Sequence, residues 1–264
     1  MRLKLILQPI NNNVSIHINY EYYLSAAIYR WLEYSSPELS RFLHYQGYSP
    51  QGMLRRFKHF CFSQLFIKNT IIKNDRLFFK KDKINWYIGM PIEENLKHLI
   101  IGIFNHQTFF IEKEENKFVI EQVEIIPDPA WNREMKFKTI SPITASVPLE
   151  HNGKLIARYL KADDPDVSEV LKKNLLLRYE SLYDRMPEDK ELICTTDIEY
   201  IKRRGGADRV SKLVAIKKGL PGETKVRGFR CPVTLKGSIE LIKLAYESGL
   251  GEKGSMGFGM LEVG

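Results

Sequence analysis

Six histidines, His17, His44, His59, His98, His106 and His151, are the side chains best suited to carry a proton near neutral pH. No two stand at a helical spacing that, with a matching acid, would hold a zinc ion. No local Ser-His-Asp signature surrounds any of them. The acids Asp163, Asp164, Asp166 and Glu169 cluster, but they stand where a helix would begin, and there acids cap amide N–H groups and suit the dipole. Neither a metal nor a cofactor is expected. His44 is the histidine of most interest. It ends a short helix and opens the loop Tyr45-Gln46-Gly47-Tyr48-Ser49-Pro50-Gln51-Gly52, where an imidazole is free to meet a ligand, although the same position also suits a plain surface residue. Lys58 opens the strand after that loop, and Tyr29 lies on the first helix.

Two further stretches could bind an anion. Gly249, Gly251, Gly254, Gly257 and Gly259 fall within eleven positions near the end of the chain. Glycine allows positive φ and close backbone approach, so such a loop could cradle a phosphate. A tight connection between helix and strand would account for one or two of the five. The order is helix, loop, strand, which excludes a dinucleotide fold and a P-loop, since both need strand, loop, helix. The second stretch is basic. Residues 201–230 hold ten Lys/Arg (Lys202, Arg203, Arg204, Arg209, Lys212, Lys217, Lys218, Lys225, Arg227, Arg230) against Asp208 and Glu223. That local excess equals the net charge of the whole chain, +8, so the positive field is concentrated and points to nucleic acid more than to a solvated face.

The elements that must position these groups fall into two similar halves of a 264-residue chain with 44% hydrophobic residues. In the first, residues 2–7 read as a strand, 20–33 as a helix with Leu24, Ala27, Ile28, Trp31 and Leu32 inward, and 37–45 as a short helix capped by Ser36. Residues 57–67 read as a strand, 76–90 as a hairpin around 80–83, then a helix after Pro91 and extended chain over 108–127. In the second half, 137–147 reads as a strand, Asp164-Pro165-Asp166 opens a helix to about Tyr183, and 192–202 and 210–217 read as strands flanking Gly205-Gly206. Extended chain over 225–235, a helix over 237–248 and a final strand over 256–263 complete it. The predicted class is α+β, two tandem ferredoxin-like (RRM-like) domains, residues 1–129 and 130–264, with the boundary where Pro127 and Pro129 break regular structure.

Cys61, Cys194 and Cys231 are isolated and odd in number, without a CxxC, which fits a reducing compartment. Lys4 and Gln8-Pro9 interrupt any leader, and the apolar run 99–104 is too short for a bilayer. A cytoplasmic protein with no membrane contact is expected.

Gly249-x-Gly251-Glu252-Lys253-x-Ser255-x-Gly257-Phe258-Gly259 resembles the glycine-rich signature of the CRISPR repeat-RNA endoribonucleases, the Cas-six family of the repeat-associated (RAMP) superfamily. Residues 2–9, Tyr22-Tyr23-Leu24 and Ile28-Tyr29 resemble its first strand and helix. Ser36-Pro37-Glu38-Leu39 through Leu43-His44, and Lys58-x-Phe60-x-Phe62-Ser63, resemble its active-site region, and Ile140-Ser141-Pro142-Ile143 the first strand of its second domain. The resemblance covers essentially the whole chain. It implies metal-independent cleavage within CRISPR repeat transcripts, with Tyr29, His44 and Lys58 as catalytic residues and Arg55 or Arg56 as alternative sources of the cation. It also implies RNA contacts at Arg55, Arg56, the basic segment (Lys202, Arg203, Arg204, Arg209, Lys212, Arg227, Arg230) and the glycine loop, including Lys253 and Ser255. The protein would act as a monomer or homodimer, with a CRISPR effector complex as a further partner. The RNA supplies its own 2′-hydroxyl nucleophile. A binder of repeat RNA without cleavage is the second reading. An unrelated RRM-type binder is the third, poorly served by Phe60-Cys61-Phe62 as an RNP pattern.

Overall fold

The computed structural model describes residues 1–151 and 153–264. Leu3, Leu5 and Leu7 alternate along the chain and are all fully buried, and the strand they make, β1 (Arg2–Pro9), is the centre of the first sheet. After it come β2 (Asn13–His17), α1 (Glu21–Ser35), α2 (Pro37–Arg41), a π-helical turn at Phe42–Gln46, β3 (Cys61–Phe62), β4 (Ile71–Lys73) and β5 (Arg76–Lys80). β6 (Ile84–Gly89), α3 (Glu93–Asn105), β7 (Thr108–Phe110) and β8 (Lys117–Ile126) complete the half. The antiparallel order β3-β6-β1-β8-β7 places the first strand between the two that close the motif, as in a ferredoxin-like fold. α1 and α3 cover the sheet and touch at Gly102, where an added Cβ would stand 1.8 Å from the Trp31 carbonyl oxygen.

The second half repeats the plan. It runs β9 (Glu134–Thr139), β10 (Ser146–His151), β11 (Lys154–Tyr159), α4 (Val167–Tyr183), β12 (Leu192–Thr196), α5 (Ile198–Arg203) and α6 (Ala207–Val210). β13 (Ser211–Ile216), β14 (Thr224–Phe229), β15 (Val233–Gly237), α7 (Ile239–Ser248), a 3-10 turn at Gly254–Met256 and β16 (Leu261–Val263) follow. The sheet β12-β15-β9-β16 has the same order, and two hairpins, β10–β11 and β13–β14, stand outside it. The fold is α+β with two tandem ferredoxin-like units. One large core draws on residues from Leu3 to Ile120, the other on residues from Met135 to Leu261. Among the described residues no helix is long and apolar enough to cross a membrane.

Several expected elements are different in the structure. Of 57–67 only Cys61–Phe62 pairs as a strand, because His59 takes φ +50 and breaks the extended run. β5 and β6 are not a hairpin. β5 pairs with β2 and β4 in a separate three-stranded sheet, and the hairpin is β4–β5, turning at Asn74 and Asp75 with φ +50 and +58. The strand expected over 192–202 stops at Thr196, since the Asp197 carboxylate accepts the Tyr200 amide at 2.7 Å and starts α5. The extended run 225–235 splits between two sheets, and the last strand begins only at Leu261, after Gly257 and Gly259 at positive φ. Residues 137–147 divide likewise into the end of β9 and the start of β10.

Candidate active site and basic cleft

Helix α1 has two faces. Leu24, Ala27, Ile28 and Trp31 enter the core, while Tyr22, Ser25, Ala26, Tyr29 and Glu33, spaced by three and four, form a stripe on one side of a cleft of about 480 Å³. The opposite wall comes from α2 and the turn after it. Ser36 Oγ accepts the Leu39 amide at 3.3 Å and fixes the start of α2. The π turn carries His44 to an exposed position and ends at Gly47, φ +67, whose amide donates to the Phe42 carbonyl at 2.7 Å. Only glycine fits there, since a Cβ would stand 2.6 Å from the Phe57 carbonyl oxygen and 3.2 Å from Lys58 Nζ. The chain thus returns close enough for Lys58 Nζ to donate to the His44 carbonyl at 2.9 Å. The Tyr29 and His44 rings meet edge to face, 5.2 Å between centroids at 81°.

The glycine loop supplies Ser255 to the same cleft, and Ser25 Oγ donates to the Ser255 carbonyl at 2.7 Å. Tyr29, His44, Lys58 and Ser255 are therefore brought together. Burial pushes the Tyr29 phenol well above its ordinary pKa, with a Ser255 hydrogen bond working the other way. Burial also lowers the Lys58 pKa, and the neighbouring Arg56 charge adds to that. Of the alternative cations, Arg55 is turned to Glu252, 3.2 Å away, and Arg56 donates to the Tyr45 carbonyl at 2.6 Å. Lys58 is the one of the three that lines the cleft.

The five glycines of the terminal loop are buried rather than displayed. A Cβ on Gly249, Gly251, Gly254, Gly257 or Gly259 would come within 3.0 Å of Cys61, the Thr144 carbonyl, the Phe60 carbonyl, the Phe62 ring or the Leu250 carbonyl respectively. The amides of Gly249, Gly257 and Gly259 donate to the carbonyls of Ala245, Gly254 and Pro142. At those positions the geometry is that of packing, against the first half for Gly249 and Gly257 and within the second for Gly259, not of a phosphate cradle. What the loop offers to solvent is Lys253, exposed, and Ser255, partly so. Arg178 of α4 holds the loop from within. It is buried and donates to the carbonyls of Ser248, Gly249 and Gly251.

The basic segment divides. Arg204, Arg209, Lys212 and Arg230 line one open cleft of about 710 Å³, whose other wall includes Phe66 of the first half. Arg230 donates to Gln64 Oε1 at 2.8 Å, and Lys212 stands 3.5 Å from the buried Glu21 carboxylate. Lys202 and Arg203 are exposed on α5, and Arg227 is exposed on β14 beside Ser211, all three outside that cleft.

A family model described as CRISPR-associated protein Cas6, N-terminal, matches residues 15–124, and one described as CRISPR associated protein Cas6, C-terminal, matches residues 126–263. The chain belongs to the Cas6 family. It is 30% identical over 265 residues to a Methanocaldococcus jannaschii protein named CRISPR-associated endoribonuclease Cas6 1, covering 99% of this chain and 92% of that one. It is 28% identical over 264 residues to a Pyrococcus furiosus protein named as a CRISPR-associated endoribonuclease-like protein Cas6, covering 100% and 98%. The solved structure of a Cas6-related gene product from Pyrococcus furiosus superposes with a TM-score of 0.82 at 25% identity, covering 100% of this chain and 98% of that one.

This Cas6 cleft also holds residues that the sequence alone does not single out, among them Tyr22, Ser25, Arg30 and Arg41, and it takes in Lys217 of the basic segment. Tyr22 and Ser25 carry a signal, since they share the three-and-four spacing that ends at Tyr29. Lys217 reads as part of the basic segment, but nothing in the sequence places it at this cleft. It comes from the end of β13 and lies 5.6 Å above the Tyr22 ring, a contact that only the assembled halves create.

Proposed function

We propose that this Cas6 protein is a metal-independent endoribonuclease that cuts CRISPR precursor transcripts within the repeat. The observation that carries the reading is the convergence of Tyr29, His44 and Lys58 on one cleft. In the proposed reaction the 2′-oxygen bonds to the adjacent phosphorus and loses its proton, the P–O5′ bond breaks, and the 5′-oxygen gains a proton. The products carry a 2′,3′-cyclic phosphate and a 5′-hydroxyl. RNA provides the nucleophile, so the protein needs a proton carrier and a stabiliser of the charge gathering on phosphorus. His44 serves as proton carrier. Lys58 serves as the cation. Tyr29, whose burial keeps the phenol protonated, donates a hydrogen bond that orients the reacting group.

The cleft cations Arg204, Arg209, Lys212 and Arg230, together with Lys202, Arg203, Arg227, Arg55, Arg56 and Lys253 elsewhere on the surface, would hold the RNA backbone. We take residues 1–129 and 130–264 as the two domains. The protein would work in the cytoplasm as a monomer or homodimer, with a CRISPR effector complex as the next partner.

The test is incubation with a CRISPR repeat RNA from its own genome in EDTA, beside His44→Ala. Wild type is expected to cut at one site, leaving a cyclic phosphate, and His44→Ala to lose on the order of 10²–10⁴ in rate while still binding. Binding without cleavage by wild type would establish instead a repeat-RNA binding protein, a reading kept open by the relative named only endoribonuclease-like.

A further inference from the structure

The small sheet β2-β5-β4 borders a cavity of about 670 Å³ that the proposed reaction does not use. Phe78 and Ile71, cross-strand neighbours, give it an apolar wall, and Lys68, Lys80 and Lys81 rim it. All three lysines are exposed, and none has a carboxylate within 4 Å among the described residues. The one acid on the rim, Asp82, accepts the Lys83 amide at 2.7 Å. Phe78 is 40% exposed, on the face of β5 opposite to that of the buried Phe79. Unpaired cations around an open aromatic face are what a single nucleic-acid strand requires, the cations for phosphate and the ring for a base.

The cavity and the basic cleft are lined by neighbouring residues of one segment. Phe66, itself 41% exposed, forms part of the cleft wall, and two residues later Lys68 stands on the rim of the cavity. Two residues span about 7 Å at full extension, about the distance from one nucleotide to the next in an extended strand. Phe66 is braced edge-on by Tyr87 at 5.5 Å, which leaves a face open.

We propose that this cavity is a subsite for an unpaired stretch of the RNA as it leaves the basic cleft, with Phe66 and Phe78 as stacking platforms and Lys68, Lys80 and Lys81 as phosphate contacts. The inference rests on the RNA-binding part of the function proposed above. It does not depend on cleavage.

The experiment is equilibrium binding of the full chain to the repeat RNA, and to versions shortened from each end, over a range of salt. It compares wild type with Phe78→Ala and with the triple variant Lys68→Gln/Lys80→Gln/Lys81→Gln. Phe78→Ala is expected to weaken binding of the full repeat about tenfold with the salt slope unchanged. The triple variant, which alters only exposed side chains, is expected to flatten the slope of log K against log salt by about 2, at about 0.7 for each single-strand phosphate that is no longer neutralised. One set of shortened RNAs should bind all three proteins equally, and single-turnover cleavage at saturating RNA should be unchanged. Equal affinity and equal slope for all three proteins would overturn the subsite and leave the edge strand β4 to a protein partner. Failure of wild type to bind the repeat at all would overturn the function reading itself, and this subsite with it.

Discussion

His59 follows Lys58 in the chain but faces the other half of the molecule. Its Nε2 lies 3.0 Å from Ser181 Oγ of α4, its ring is packed against Phe57 and Tyr48, and its backbone is held at φ +50. Burial, with a smaller push from the Arg178 charge, lowers its pKa from 6.5 to about 3. The folded protein therefore keeps His59 neutral, while the unfolded chain takes up a proton below pH 6.5. Stability from this residue is complete above that pH and is lost as pH falls towards 3, at about 1.4 kcal/mol per unit. Chemical denaturation at pH 7 and pH 5 should show a loss of about 2 kcal/mol from this source. His59→Asn, a residue that tolerates positive φ, should remove that part of the pH dependence. An unchanged pH dependence in the variant would show that His59 is protonated in the fold. The exposed place of His44 beside a loop was legible at this scale, because the residue type and the loop can be read directly. His59 was not, since its partner lies more than a hundred positions away.

Helix α1 shows what an element can reveal. One turn after another it alternates between core and cleft, and both stripes follow the three-and-four rule that a sequence displays. The same regularity made α3, α4, α7 and β1 readable. β3, β4 and α5 were not, because two to six residues are too few for a period to appear, and their state is set by partners elsewhere. The α1–α3 contact depends on Gly102. A methyl group there meets the Trp31 backbone, which cannot turn aside as a side chain would. Gly102→Ala should destabilise the fold by about 1–3 kcal/mol, despite the better helix propensity of alanine. A melting temperature at or above that of wild type would mean that the two helices can separate without cost.

At the scale of the molecule, two buried arginines lie at the seam, Arg2 bonding across it and Arg178 holding the second half's side of it, 5.7 Å from the Phe57 ring of the first half. Arg2 of β1 donates to the carbonyls of Tyr246 and Leu261 and stacks on the Tyr246 ring, while Arg178 gathers the carbonyls of the terminal glycine loop. Burial lowers the Arg178 pKa to about 10, still high enough to stay charged at neutral pH. Arg178→Met would leave several buried carbonyls without a donor, at about 1–3 kcal/mol for each. The expected result is a folded protein whose residues 249–259 become open to limited proteolysis and whose cleavage rate falls, because Ser255 no longer holds its place beside Tyr29. Wild-type protection of that segment in the variant would refute the role given to Arg178. The two-domain plan was legible in element order. The seam was not, for a buried arginine reads in a sequence like any other.

The seam also has a consequence for inheritance. Three of the loop's glycines, Gly249, Gly254 and Gly257, fit against Cys61, Phe60 and Phe62 of the other half. A recombination event near residue 129 that joined halves from two diverged lineages would inherit two sound sheets and a mismatched joint. The halves can be copied as separate pieces of sequence, but this contact requires them to change together, and relatives should carry paired substitutions across it.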